Sequence, residues 1–435
     1  MGYSAAIAKT EVTRSGLESS WCVRWLPAVS MMLVTTLSYI DRNILALLAP
    51  TILREAHLSN AQYGFIISAF SITYMLGNPL WGRIVDRIGV RISMTTAVSL
   101  WTLASVSHAF ARGFGGFLAA RAALGFGEGA SFPGAFRAVT QTLPRSTRMR
   151  GIGIAYSGAS LGAIVTPILI TPLAAEWGWR AAFWFTGAFG AIWIALWSFV
   201  SRRRDLARPA VIVESHARPR WNDTQLWAFI SAYALGGSPI AYVLYVAPIY
   251  LSEALHKSQL EIGHILWIPP LGSEIGCFFW GWVMDRLAQR GSSLAALRRQ
   301  FLVLTLLILP LAVVPHIHSY WITVAILSLA MFVVAGYVSS SLAYATWHYS
   351  VVHSGLLAGV GSGTWSAVVA LFMPVVGRLF DLHRYHAAFA LATLLPVAGY
   401  ASWLRLHGAT QLGEDKRSGG VAIGDAASPG VASEL

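Results

Sequence analysis

Arg121 and Glu128 lie seven residues apart in an apolar run from about Phe114 to Val139. Seven residues make two helical turns, a rise of roughly 10.5 Å, so both side chains return to nearly one helix face. An ionised group at bilayer depth is costly and faces a bundle interior or a wet cavity. Two opposite charges on one buried face therefore mark a site, with a structural ion pair locking two helices as the plain alternative. A second charged pair, Asp41 and Arg42, sits in another apolar stretch. Guanidinium stays charged and offers a carboxylate a planar fork that lysine cannot imitate. An anion arriving at such an arginine changes the proton affinity of a neighbouring acid, and that is coupling.

The elements that must hold these charges are membrane helices. Of 435 residues, 56% are hydrophobic and 11% charged, with mean hydropathy +0.59, a balance that polytopic membrane proteins need. Apolar runs near the 20 residues a bilayer requires occur twelve times. The first six are expected at about 25–50, 62–82, 92–111, 114–140, 151–172 and 181–200. The second six fall at about 225–251, 262–284, 300–316, 319–341, 356–379 and 385–406. The expected fold is all-α, with an N-terminal segment 1–24, a half at 25–200, a linker at 201–224 and a second half at 225–406. Residues 407–435, rich in Gly, Ala and Ser, read as a disordered tail.

Twelve spans with the N-terminus inside send 23 of the 31 Lys and Arg to cytoplasmic segments and 6 to external loops. Arg42 and Arg121 remain deep in the membrane, and the span-end residues Arg137, Arg378 and Arg405 are counted with the side they adjoin. This is the positive-inside bias, with both termini cytoplasmic. It accounts for the net charge of +12 without nucleic acid, since the basic residues are scattered over six segments. No cleavable signal is expected in the first 24 residues. Cys22 and Cys277 make neither a disulfide framework nor a metal cluster.

A repeat is visible: Gly82, Asp86 and Arg87 recur 199 residues later as Gly281, Asp285 and Arg286, each time after the second span of a half. Parallel repetition of a six-span unit suits a two-halved transporter. The loop from Gly82 to Arg91 resembles the signature of the major facilitator superfamily, and the resemblance extends over about residues 25 to 406. It implies a conformational latch, with Asp86 bonding to neighbouring helix ends and Arg87 and Arg91 holding the cytoplasmic side closed; Gly82, Asp285 and Arg286 belong to the same device. The Gly-rich fifth span (Gly151, Gly153, Gly158, Gly162) reads chiefly as helix packing.

Within the superfamily, two pieces resemble the anion:cation symporter group: the run Tyr39-Ile40-Asp41-Arg42-Asn43, and the set Arg121, Leu124, Gly125, Gly127, Glu128 and Pro133. The resemblance implies symport of an organic anion, such as a sugar acid, hexuronate, aldarate or aromatic acid, with protons as coupling ion. It makes Asp41 and Glu128 the protonatable acids, and Arg42 and Arg121 the groups that bind the anion or hold those acids. Tyr74 would donate a hydroxyl from the second helix, and Tyr39 and Tyr242 are further substrate candidates. Glu274, mid-span in the eighth helix, lies outside the pattern. It is open as a second proton site, a partner for a substrate hydroxyl or amine, or a structural pairing.

The second half departs from the group. Its seventh helix ends Val246-Ala247-Pro248-Ile249-Tyr250-Leu251, without the usual Trp, and Gly361 to Ser366 replaces a familiar Asn in the eleventh. No nucleophile, metal cluster or accessible acid pair argues for an enzyme, and neither linker nor tail could hold a receptor's signalling domain. The expectation is a monomeric carrier of the plasma (inner) membrane, without metal or cofactor. Export or exchange of similar anions is the alternative direction.

Overall fold

The computed structural model describes residues 21–144, 146–203, 205–206, 220–289, 294–349 and 354–421, and among these it is helical without a strand. In hydrocarbon every backbone N–H and C=O must be satisfied within its own segment, which selects helices. In the first half α1 is Trp21–Leu47, with a bent extension Ala49–Glu55, and α2 is Asn60–Ile88. Then come α3 (Val90–Ser107), α4 (Phe114–Glu128 and Ser131–Thr142), α5 (Arg148–Trp177) and α6 (Trp179–Val200). In the second half α7 is Thr224–Glu253, α8 is Gln259–Ile265 with Ile268–Gln289, and α9 is Leu294–His316. The last three are α10 (Tyr320–Tyr349), α11 (Ser354–Asp381) and α12 (Tyr385–Val421). Seven are long and apolar enough to cross a membrane alone, eight with the bent pair. The remainder are broken (α4, α8) or richer in polar residues (α2, α3).

The internal repeat runs deeper than one loop motif. His57 and His256 both hold positive φ, 53° and 51°, at the turn into the second helix of each half. Two residues on, Ser59 and Ser258 close capping boxes with Gln62 and Glu261. Trp81 and Trp280 donate their indole N–H to the carbonyls of Phe126 (2.8 Å) and Phe332 (3.1 Å). A Cβ on Gly77 or Gly276 would stand 2.8 or 2.7 Å from those same carbonyl oxygens, so only glycine lets α2 reach α4 and α8 reach α10. His57/His256, Ser59/Ser258, Gly77/Gly276 and Trp81/Trp280 all stand 199 residues apart.

The halves meet chiefly through α2 on α11, α5 on α8 and α1 on α7. At the end away from Trp21 and His407 the joint is shut. Asp381 of α11 accepts from the backbone N–H of Asn60 (2.8 Å) and Ala61 (3.0 Å), capping α2 across the interface. Glu253 of α7 accepts from the Asn60 amide (3.0 Å) and the Tyr385 hydroxyl (3.1 Å). Gln259 donates to the Leu47 carbonyl at 2.8 Å. At the other end the recurring motif lies more loosely. Asp86 pairs with Arg137 inside its own half, Arg286 rests on the Trp282 ring, and a Cβ on Gly281 would meet nothing within 4 Å.

One boundary differs from expectation. Helical backbone continues past His407 to Val421, where a disordered tail is expected from composition. Extending an established helix needs no new nucleus, and Ala409, Gln411, Leu412, Glu414 and Lys416 are good helix formers. Residues 422–435 lie outside the described residues, as do 1–20 of the N-terminal segment and most of the 201–224 linker (204 and 207–219).

Candidate functional site

Arg42 of α1 converges with Arg121 and Glu128 of α4, and the ion pair forms between the two helices. Glu128 pairs with Arg42, not with Arg121 on its own helix. Its Oε2 accepts from Arg42 Nη2 at 2.9 Å, from Arg42 Nε at 3.3 Å and from Ser38 Oγ at 2.9 Å. Its Oε1 has no partner among the described residues. Arg121 donates Nη2 to the Arg42 backbone carbonyl at 3.0 Å, and its buried Nε has no partner among the described residues. Arg42, Arg121 and Glu128 are all almost fully enclosed. The shared face holds as read from spacing, but a seven-residue rise is too long for those two side chains to pair directly. A residue from the facing helix intervenes.

An aromatic cage surrounds the pair. The Arg42 guanidinium carbon lies 4.7 Å from the Tyr39 ring centroid and 4.8 Å from those of Phe70 and Tyr74. Arg121 stands 5.7 Å from Phe70. Ring faces attract cations, and more so where water is excluded. Tyr245 of α7 lies close enough to feel both guanidinium charges, and its carbonyl accepts from the Tyr63 hydroxyl at 3.0 Å. The second half thus closes the chamber opposite α1 and α4.

Asp41 turns away from this chamber, since consecutive helical residues point about 100° apart. Its Oδ1 accepts from Ser105 Oγ of α3 at 2.6 Å, and Ser105 stands 3.1 Å from the Thr186 hydroxyl of α6. His108 is linked to the same turn, its Nδ1 2.8 Å from the Ala104 carbonyl and its ring stacked on Phe183 at 4.9 Å. The two acids therefore occupy separate compartments, one facing the halves' interface and one inside the first half.

The remaining candidates are dispersed. Tyr242 packs edge-on against Phe389 (5.0 Å) in an apolar cavity with Val369, Met373 and Leu391, its hydroxyl buried and unpartnered. The π-helical segment Tyr242–Val246 explains why Tyr245, three residues on, faces the guanidiniums instead. Glu274 is half-buried on α8, near Cys277 and away from the Gly272 and Gly276 face that packs on α10. The Gly361–Ser366 stretch spends its polar atoms locally. Thr364 and Ser366 bond carbonyls of their own helix, and Trp365 donates to Gly237 at 2.9 Å. Ser38, Tyr63, Ser105, Thr186 and His108 were not singled out by spacing. As isolated hydroxyls and one His in apolar runs they look like ordinary helix residues; only their position one turn from Arg42, against Tyr245 or around Asp41 sets them apart.

Known proteins agree with this architecture. The model of the Major Facilitator Superfamily matches residues 31–297. The hexuronate transporter of Escherichia coli (strain K12) is 27% identical over 409 residues, 87% of this chain and 92% of that protein. The galacturonate transporter of Dickeya chrysanthemi is 26% identical over 305 residues, covering 65% and 88%. The D-galactonate transporter of Escherichia coli O6:H1 is 26% identical over 424 residues, covering 88% and 96%. Among solved structures, a bacterial homologue of the human lysosomal transporter Spinster, inward-facing and occupied, aligns with TM-score 0.73 at 17% identity, over 89% of this chain and 98% of that one.

Proposed function

Because the chain belongs to the Major Facilitator Superfamily, we propose that it carries a small organic anion across a membrane by alternating access, coupled to protons. The observation that carries this reading is the division of labour between two buried guanidiniums: Arg42 is neutralised by Glu128, while Arg121 keeps an unpartnered Nε. A substrate carboxylate docks first on Arg121. A proton on Glu128 then withdraws the counter-charge from Arg42, and the caged guanidinium turns to the same anion. Arg42 cannot serve two carboxylates at once, so proton and anion bind as a unit. By linkage the effect is reciprocal, and the bound anion favours the protonated acid. Asp41 and Glu274 are the other acids through which protons pass.

Sugar acids are the substrate class this reading favours, since the hexuronate, galacturonate and D-galactonate transporters are similar over most of their length. Tyr39 and Tyr74 flank the anion. With 23 of 31 basic residues on the side of the termini, that side is cytoplasmic in a plasma (inner) membrane, and the capped joint at Asp381 is the external gate. Gly82, Asp86, Arg87, Arg91, Asp285 and Arg286 form the latch that engages when the cytoplasmic side closes. The working unit is the monomer.

The test is substrate-dependent proton uptake by the purified chain in liposomes, screened over sugar acids, aromatic acids and dicarboxylates. Alkalinisation outside the vesicle on adding one of them supports symport. Flux that persists unchanged without any proton movement would leave an anion exchanger.

A further inference from the structure

A second polar feature lies apart from the charged chamber, where α1, α5, α7 and α8 meet. Asn43 is buried, with 6% of its surface exposed, and neither its Oδ1 nor its Nδ2 has a partner among the described residues. It borders a small cavity otherwise walled by Leu47, Ala163, Thr166 and three prolines with the residues one turn before each. Pro167 supplies no N–H to the Ala163 carbonyl, and Pro270 none to Leu266. Pro248 supplies none to Leu244 or Val243, the carbonyls one α-turn and one π-turn back, and it follows directly on the π-helical segment Tyr242–Val246. The helical ladder of α8 is likewise broken between Ile265 and Ile268. Residues whose carbonyls receive no proline N–H thus line one cavity from three helices of both halves, and the fourth brings an amide without a partner among the described residues.

We propose that this cavity is a built water site, a hydrated hinge about which α5, α7 and α8 flex as the halves rock. An amide that needs a donor and an acceptor together is matched by water, which is both. A cation would satisfy Oδ1 and the carbonyls but leave Nδ2 unmet beside Arg42. The space admits about one or two waters, and the Asn43 Oδ1 and Nδ2 supply two of the two to four polar partners that buried water requires. Ordered water is also the usual means by which proline-broken helices are tolerated in a membrane. In the opposite conformation the same waters can re-pair as the carbonyls move, which keeps the exchange from stranding polar groups.

The inference rests on the alternating-access reading, and the experiment separates the two. The full chain in liposomes is exposed to hydroxyl radicals generated by X-rays in ¹⁸O-water. Substrate-for-substrate exchange and substrate Kd are measured in parallel. Wild type is expected to incorporate ¹⁸O at Leu266 or Leu47. Asn43→Leu is expected to lose that label and to slow exchange about tenfold at unchanged Kd, the rate equivalent of one unmet buried hydrogen bond. Asn43→Ser, which keeps a donor, an acceptor and room for water, should retain both label and rate, and it carries the test if the Leu variant fails to fold. No label at these positions in wild type, or wild-type exchange by Asn43→Leu, would overturn the hinge while leaving transport intact. Sodium that raises the Tm of wild type and not of Asn43→Leu would make the cavity a cation site and end the water proposal. Absence of exchange by wild type with every carboxylate would instead fail the transport reading.

Discussion

Glu128→Gln tests the coupling scheme most directly, because it makes the neutral form of the acid permanent while keeping its shape. Glu128 Oε2 accepts two bonds from Arg42 and one from Ser38. With the guanidinium still ionised, each bond from Arg42 falls from the upper toward the lower end of the charge-assisted range, about 3 to about 1.5 kcal/mol, so the substitution weakens the hold on Arg42 by about 2–3 kcal/mol. Unpairing a buried ion would ordinarily cost about 3–5 kcal/mol. Here the amide oxygen of the variant still accepts from the guanidinium and the rings of Tyr39, Phe70 and Tyr74 still surround it, so the ion is not left bare and the variant should fold. A substrate carboxylate then meets Arg42 without an internal rival. If it recovers the 2–3 kcal/mol, affinity rises by about one to two decades. The assay compares two modes in one folded preparation: substrate-for-substrate exchange, and net uptake driven by a pH gradient. Exchange should persist and gradient-driven uptake should collapse, because no proton can leave to reset the carrier. Intact pH-driven accumulation would remove Glu128 from the proton pathway and leave Asp41 or Glu274 to carry it. Loss of both modes with a lowered Tm would make the Arg42–Glu128 pair a structural clamp.

Arg121→Lys keeps the charge but loses the fork, and substrate affinity should fall by about one to two decades, the equivalent of about 1.5–3 kcal/mol, in calorimetric titration; wild-type affinity would mean the residue only supports Arg42. Asp381→Ala removes both of its bonds to the start of α2, leaving the Ser59 capping box, at about 0.5–2 kcal/mol and should shift the population toward an opened external end, seen as a longer distance between spin labels at His57→Cys and His383→Cys. An unchanged distribution would place the gate elsewhere. Ser105→Ala strips Asp41 of its short bond and should lower Tm more than Ser157→Ala, whose hydroxyl is exposed and bonds only its own helix. Cysteines introduced at the exposed Arg202 and at Ala409 should both resist impermeant reagents in intact cells; labelling of either from outside would contradict the twelve-span topology.

Sequence alone carried the membrane class, the twelve-helix plan and the two-halved repeat, because these follow from local quantities. Apolar length against bilayer thickness, the sorting of basic residues and a 199-residue recurrence can each be read along the chain. It also found the residues of the charged site, since buried arginines and acids are too costly in hydrocarbon to be incidental. What it could not assign was partnership. Arg121 and Glu128 share a face, yet Glu128 takes Arg42 from another helix, and whether facing helices stand close enough is set by glycine seams such as Gly77 on Phe126. The compartments of Asp41 and Arg42, adjacent in the chain and opposite in surroundings, depend on which helix lies on each side of α1. Tyr242 and Tyr245 face different surroundings because a π-segment changes the phase of the helix, a feature with no reliable signature in residue type. The grouping of Pro167, Pro248 and Pro270 around Asn43 is likewise invisible along the chain, where they are scattered over a hundred residues. Charge and hydropathy act residue by residue and are legible in order; the pairing of side chains is a property of packed surfaces, and only the tertiary structure brings those surfaces together.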